Sequence, residues 1–290
     1  MGCVQSYHKN QTTQTLPKVA QITEVATLSS LDTKIIADFI AQVRPLDLIV
    51  FRGRDTVSNV IRTLENLTTG NGEISHVEVA ITMDWCSEIK PLSEFNVKPT
   101  TMLSWGSTMS GSLNDGAVNI ETGAGTFGVQ FRVLENLIKH YLTKPTANVG
   151  LCRLLDNPTC QRRGESLGDY TSRTLKLRED LNRAYAKYDG RLYNANPLAL
   201  LGAMFPAVRQ IRDGASEAVS KFIDVNKWLF CSELVANVYI ETGVITDATD
   251  GVVDGKVLDS ADVLPVDFLG VDNDGIKNNI CDTDIMWIKK

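Results

Sequence analysis

Strand-like runs crowd the first half of this chain, and helical periodicity crowds the second. That segregation constrains the fold more than any single motif does. Strands gathered together and helices gathered together predict an α+β domain rather than alternating βαβ units. The run PLDLIVF (45–51) reads as a buried strand. SHVEVAI alternates, so that His76, Glu78 and Ala80 share one face while Val77, Val79 and Ile81 share the other. AVNIET and FGVQFRVL, around a Gly-rich turn at 123–128, and ANVGLCRLL (147–155) predict further strands. Residues 84–115 hold two prolines and many Ser and Thr, and read as an inserted loop.

Helical spacing occurs at 31–43, with Ser29 or Ser30 as the cap, and again at 56–67. It returns at 172–188, near 197–204 and 207–223, and from Cys231 to about Thr242. Gly243 stands where a helix C-terminal glycine is expected.

The 290 residues suffice for one large domain, placed at 29–290 behind an arm rich in Thr, Gln and Ser at 1–28. A net charge of −6 argues against a general nucleic-acid binder, whose footprint is basic. No apolar run reaches the length of about 20 residues that a membrane-spanning helix needs. The six cysteines form neither a close C-x-x-C pair nor a zinc spacing with histidine, and point to a reducing compartment. VDNDG (271–275) fails as a calcium loop, because its first and twelfth positions fall on Gly270 and Cys281. No metal or other cofactor is expected.

The opening MGCVQSYHKN fits the N-myristoylation pattern, with Gly2 as acceptor and Ser6 at the preferred position. Cys3 follows as a candidate for palmitoylation. One myristate binds a membrane marginally and a second chain makes anchoring stable. The expected partner is therefore a membrane, reached through the N-terminal acyl chains in a eukaryotic cell or a virus growing in one.

Cys231 sits directly before its amphipathic helix. A thiol nucleophile needs a lowered pKa, a base within reach and donors for a developing oxyanion. A helix N-terminus supplies the first and can supply the third. Of the three histidines, His8 lies in the arm and His140 at a solvated helix end, whereas His76 begins a strand. A rigid strand is a good place from which to aim an imidazole. A buried cysteine and a hydrogen-bonded strand histidine are the commoner uses of these residue types.

Six blocks resemble, in order, the circularly permuted papain-like proteins of NlpC type, in which histidine precedes cysteine. PLDLIVF resembles their pGDlIff, SHVEVAI their SHvgiv, and FGVQFRVLENLI their GVrlrpLeefi. YDGRLYNANPLALLGA resembles their Ygk.Yd region, FCSELVANVYIETGVI their FCSElVa.vy..lGv, and VLPVDF their ytPaDf. The blocks cover roughly 45–268. The family includes bacterial proteins and proteins of large DNA viruses, poxviruses among them, and this chain resembles a viral member.

The resemblance implies an antiparallel sheet packed on the nucleophile helix, with Cys231 as nucleophile and His76 as general base. It also implies a third polar group to orient the imidazole. Relatives often carry Glu in the following strand. LSWGSTMSG (103–111) has Gly106 where that Glu is expected. Glu121, in VNIETGAG, is the first choice for the role, and Glu78, on the histidine's own face, is another. Asp47 and Asp267 match family blocks but read as capping residues. Tyr188, Tyr193 and Asn194 line the cleft or pack the core.

The expected function is a membrane-anchored thiol hydrolase or acyltransferase, cleaving an amide or ester through a thioester. Its expected substrate is a lipid, a lipidated molecule or a peptide. Its expected location is the cytoplasmic face of a membrane, or the membrane or capsid of a virion. The alternative, which Gly106 motivates, is a weak or inactive papain-like fold serving as a virion or host-interaction protein.

Overall fold

The computed structural model describes residues 30–53, 74–85, 97–108, 117–144, 147–193 and 228–246. It also describes 252–253, 256–257, 263, 265–269, 280–282 and 284–288. The expected lipidation sites Gly2 and Cys3, the expected helices at 56–67, 197–204 and 207–223, Asn194 and the VDNDG run lie outside them.

Among the described residues the chain is α+β. Helix α1 (Ser30–Ile40) leads to strands β1 (Leu48–Arg52), β2 (His76–Thr82), β3 (Met102–Thr108) and β4 (Gly128–Val133). Helix α2 (Leu134–Thr143) and strand β5 (Asn148–Cys152) follow, then helix α3 (Leu167–Tyr188). Two-residue strands β6 (Leu192–Tyr193) and β7 (Trp228–Leu229) precede helix α4 (Cys231–Glu241). The short strands β8 (Val252–Val253), β9 (Lys256–Val257) and β10 (Met286–Trp287) complete the described set.

Six strands form one antiparallel sheet in the order β10-β5-β1-β2-β3-β4. Odd and even residues of its strands face opposite sides, and both sides are covered. Leu48, Val50, Val77, Val79, Leu103 and Trp105 pack with α3 and α4, through Leu181, Ala184, Leu234 and Val238. Ile49, Phe51, Ala80, Val149 and Leu151 pack with α1 and α2, through Ile36, Phe39, Leu137 and Ile138. Burial on both sides explains why PLDLIVF carries a continuous apolar run rather than an alternation.

Two expectations fail. Part of the stretch read as an insertion, Met102–Thr108, is β3, an inner strand of the sheet. Its small residues Ser104 and Gly106 resemble loop chemistry, yet they face a buried polar row. AVNIET forms a turn with a single bridge, Asn119 to Arg132, rather than a strand. The turn is held by Asn119, whose side chain accepts from the Glu121 backbone N–H at 2.8 Å.

The base of α4 is tied to the entry of β1. The Tyr239 hydroxyl donates to the Leu46 carbonyl at 2.8 Å. Leu46 has φ of 70°, a left-handed conformation that costs an L-residue about 1–2 kcal/mol. Its N–H is also held, by the Ala80 carbonyl at 2.7 Å. Next to it, buried Asp47 accepts from the backbone N–H groups of Arg44 and Leu154 and from the Asn157 amide. Asp47 therefore caps a turn, and Asp267 lies buried in the 3-10 turn Pro265–Leu269. Tyr188 is buried in the core between α3 and the sheet. Gly243, with φ of 68°, ends α4 as its sequence predicts.

Candidate active site

Cys231 is the first residue of α4, and Phe230 stands at its N-cap. The Glu233 carboxylate reaches back to accept from the Phe230 backbone N–H at 3.2 Å. This is one half of a capping box, and it fixes the entry of the chain into the helix. Leu234, Val235, Val238 and Tyr239 are fully buried, so the helix cannot roll and its N-terminal turn stays aimed at β2.

His76 is the first residue of β2 and is mostly buried, with 13% of its side chain exposed. The paired register of β2 with β3 runs from Thr82–Met102 to Val79–Trp105, although both strands continue beyond. At this end the backbone N–H of Val77 meets the sulfur of Cys231, together with the N–H of Ser232. The thiol thus reaches His76 where the ladder ends, even though α4 packs on the opposite side of the sheet.

The imidazole has two partners. Its Nε2 lies 2.7 Å from Oε1 of Glu78, and the ring is also hydrogen-bonded to Cys231. Because Nε2 is engaged by the carboxylate, Nδ1 is left for the sulfur. Phe51, directly opposite on β1, packs against the ring at 5.3 Å between centroids.

Glu78 is fully buried. Its Oε2 accepts from the Ser104 hydroxyl at 2.5 Å, and its Oε1 accepts from the Arg132 guanidinium as well as meeting His76. The room for this side chain comes from Gly106. A Cβ at position 106 would fall 2.3 Å from Cδ of Glu78. The space where a glutamate was expected on β3 is therefore filled by a glutamate from β2.

The first-choice residue, Glu121, stands elsewhere. Its carboxylate accepts from the Tyr185 hydroxyl of α3, and burial together with that carboxylate pushes the Tyr185 phenol up. The structure brings Cys231, His76 and Glu78 together and puts Glu121 against α3. Sequence reasoning passed over Arg132 and Ser104. Their signal was the alternation of FGVQFRVL and LSWGST, in which polar residues mark one face of each strand.

The electrostatics follow from this geometry. Burial works against a charge on His76, but the Cys231 sulfur and then Glu78 raise its pKa to about 9. Burial pushes the Cys231 thiol up, but the His76 imidazolium and the Val77 and Ser232 N–H groups bring it below the usual thiol value. Burial opposes ionisation of Glu78, while Arg132, His76 and Ser104 hold it down to about 2. These shifts draw the thiol and the imidazole toward a thiolate–imidazolium pair, backed by a carboxylate.

Among the described residues no group of three or more His, Cys, Asp or Glu is placed to hold a metal ion. No described helix is long and apolar enough to cross a membrane. Comparisons of the chain with family models, curated proteins and solved structures return no match.

Proposed function

We propose that the protein is a thiol hydrolase or acyltransferase with a permuted papain-like site, in which Cys231 is the nucleophile, His76 the acid and base, and Glu78 the group that orients His76. The observation that carries this reading is the unbroken contact from the Cys231 sulfur through His76 to Glu78. The two elements that carry these residues follow the chain order that the resemblance implies: histidine strand first, nucleophile helix later.

The thiolate attacks the carbonyl carbon of an amide or ester and forms a C–S bond. The oxygen gains the negative charge, and N–H groups at the start of α4 are suited to receive it. The imidazolium then gives its proton to the leaving amine or alcohol as the C–N or C–O bond breaks, leaving a thioester and a neutral imidazole. Neutral His76 takes a proton from water, or from an acceptor amine or alcohol, whose attack releases the acyl group and restores the thiolate. Glu78 stays ionised throughout and holds the ring in register.

The second reading, a catalytically silent fold, drew on the glycine at 106. Glu78 fills that space and supplies the carboxylate from β2, so this observation no longer favours it. Membrane anchoring through Gly2 and Cys3 is part of the proposal on the strength of the N-terminal pattern alone. A lipid, lipidated or peptide substrate follows from that placement.

An acyl-type activity probe tests the enzyme directly. Wild type should become covalently labelled at Cys231, and both Cys231→Ala and His76→Ala should lose the label. Equal labelling of wild type and His76→Ala would remove the enzymatic reading. Incorporation of a myristate analogue, lost in Gly2→Ala, tests the anchor, and no incorporation into wild type would remove it.

A further inference from the structure

We infer that Arg132 is a positioning residue for this site, a fixed buried cation that keeps Glu78 ionised and aimed at His76 as the medium turns acidic. The inference rests on the Cys231–His76 reading above. Arg132 lies on β4 and pairs in register with Ser104 on β3, which pairs with Ala80 on β2. Three adjacent strands thus present a guanidinium, a hydroxyl and a carboxylate on one face. Arg132 and His76 share Oε1 of Glu78, while Ser104 holds Oε2. With both oxygens engaged, the carboxylate cannot turn from His76 without breaking a bond to another strand.

The charges alternate in space: Arg132 positive, Glu78 negative, His76 positive, Cys231 negative. Arg132 is only 3% exposed, so water screens the row weakly. Its Nε has no hydrogen-bond partner among the described residues. Such a place is costly for a guanidinium. Packing alone does not account for it, whereas charge on the neighbouring carboxylate does.

The other described groups around Glu78 and His76 offer no substitute cation. From β1 come Ile49 and Phe51, and from β3 Ser104 and Gly106. From β4 comes Gln130, whose amide is engaged with Thr126. From α2 come Leu134, Leu137 and Ile138, while Glu135 and Lys139 of that helix pair with each other at its exposed side. From α4 comes Cys231.

Without Arg132 the carboxyl binds its proton more readily, and His76 loses its charged acceptor at a higher pH. The readout is the rate of Cys231 alkylation by iodoacetamide between about pH 4 and pH 9, scaled to the rate at the top of each profile. A nearby opposite charge lowers a carboxyl pKa by about 1–3. With Glu78 held at about 2 in wild type, Arg132→Met should bring its protonation up toward the foot of this range and depress the acid end of the scaled profile there, and Arg132→Lys should do so less. Ser104→Ala should move it in the same direction by a smaller amount, which keeps the test available if Arg132→Met does not fold. Scaled profiles that coincide with wild type in the folded variants would overturn the inference while leaving the Cys231–His76 pair standing. If alkylation of wild type is indifferent to His76→Ala, the pair itself fails, and this inference falls with it.

Discussion

Glu78 decides how the imidazole behaves. It lies two residues after His76 in the same strand, so strand geometry alone puts both side chains on one face. Glu78→Gln keeps the shape and removes the charge. His76, held up at about 9 by the Cys231 sulfur and Glu78, should then titrate lower, and the basic limb of the pH–rate profile should move down with it. Because the thiolate and imidazolium titrate as a coupled pair, the shift belongs to the pair. At neutral pH the reaction with an acyl probe should slow by about 10- to 100-fold, no more than the low end of what a positioned acid–base group contributes, because Glu78 acts through His76. The proximity of Glu78 was legible in the alternation of SHVEVAI. Glu121 takes preference in the sequence because proteins of the type the chain resembles place the acid in the following strand. What the sequence hid was the vacancy at Gly106, since a missing side chain announces nothing about which neighbour fills its place.

At the scale of elements, the site depends on where β2 and β3 part and on how α4 is aimed. Gly106→Ala tests the first. The added Cβ would meet the Glu78 side chain at 2.3 Å, and Glu78 is too well packed to yield without leaving His76. The variant should lose most of its Cys231 reactivity while its circular dichroism spectrum stays that of a folded protein. Gly243→Ala, at the far end of α4 from Cys231, is the control and should behave differently. Its φ of 68° disfavours a side chain, so it should cost about 1 kcal/mol in a denaturant melt with little effect on the pH profile. Helix α4, strands β1, β2, β4 and β5, and the glycine at 243 were legible because their periodicity and end signals agree. Strand β3 was not legible. Its Leu103, Trp105 and Ser107 alternate with Met102, Ser104 and Gly106, but the small residues that leave room for Glu78 are also the residues of loops.

For the whole molecule, the same row of charges links stability to pH. Glu78 is held at about 2, below its ordinary value of 4.5. A depressed carboxyl contributes stability that is present above the ordinary value and is lost as pH falls through the depressed one. Wild type should therefore lose stability between about pH 4.5 and pH 2, and Glu78→Gln should flatten that loss. Arg132→Met should cost about 3–5 kcal/mol in urea unfolding at neutral pH, because it strips a buried carboxylate of its cation. Replacing both partners, as in Arg132→Met with Glu78→Leu, should recover much of that loss without restoring reactivity. The α+β class was legible from the grouping of strands and helices. The two covered faces of the sheet were not, because helices α1 and α2 come early in the chain and small polar residues interrupt the strands they cover.

If Cys231 and His76 act as one unit, the alkylation rate of Cys231 as a function of pH depends on the imidazole. Each modified site is identified by mass, in wild type and in His76→Ala. Wild type should react as a thiolate well below the ordinary thiol range, and His76→Ala should shift that onset upward to the range of an unassisted buried thiol. Superimposable profiles for the two proteins would mean that the thiol titrates without the imidazole and that the two are not a catalytic pair.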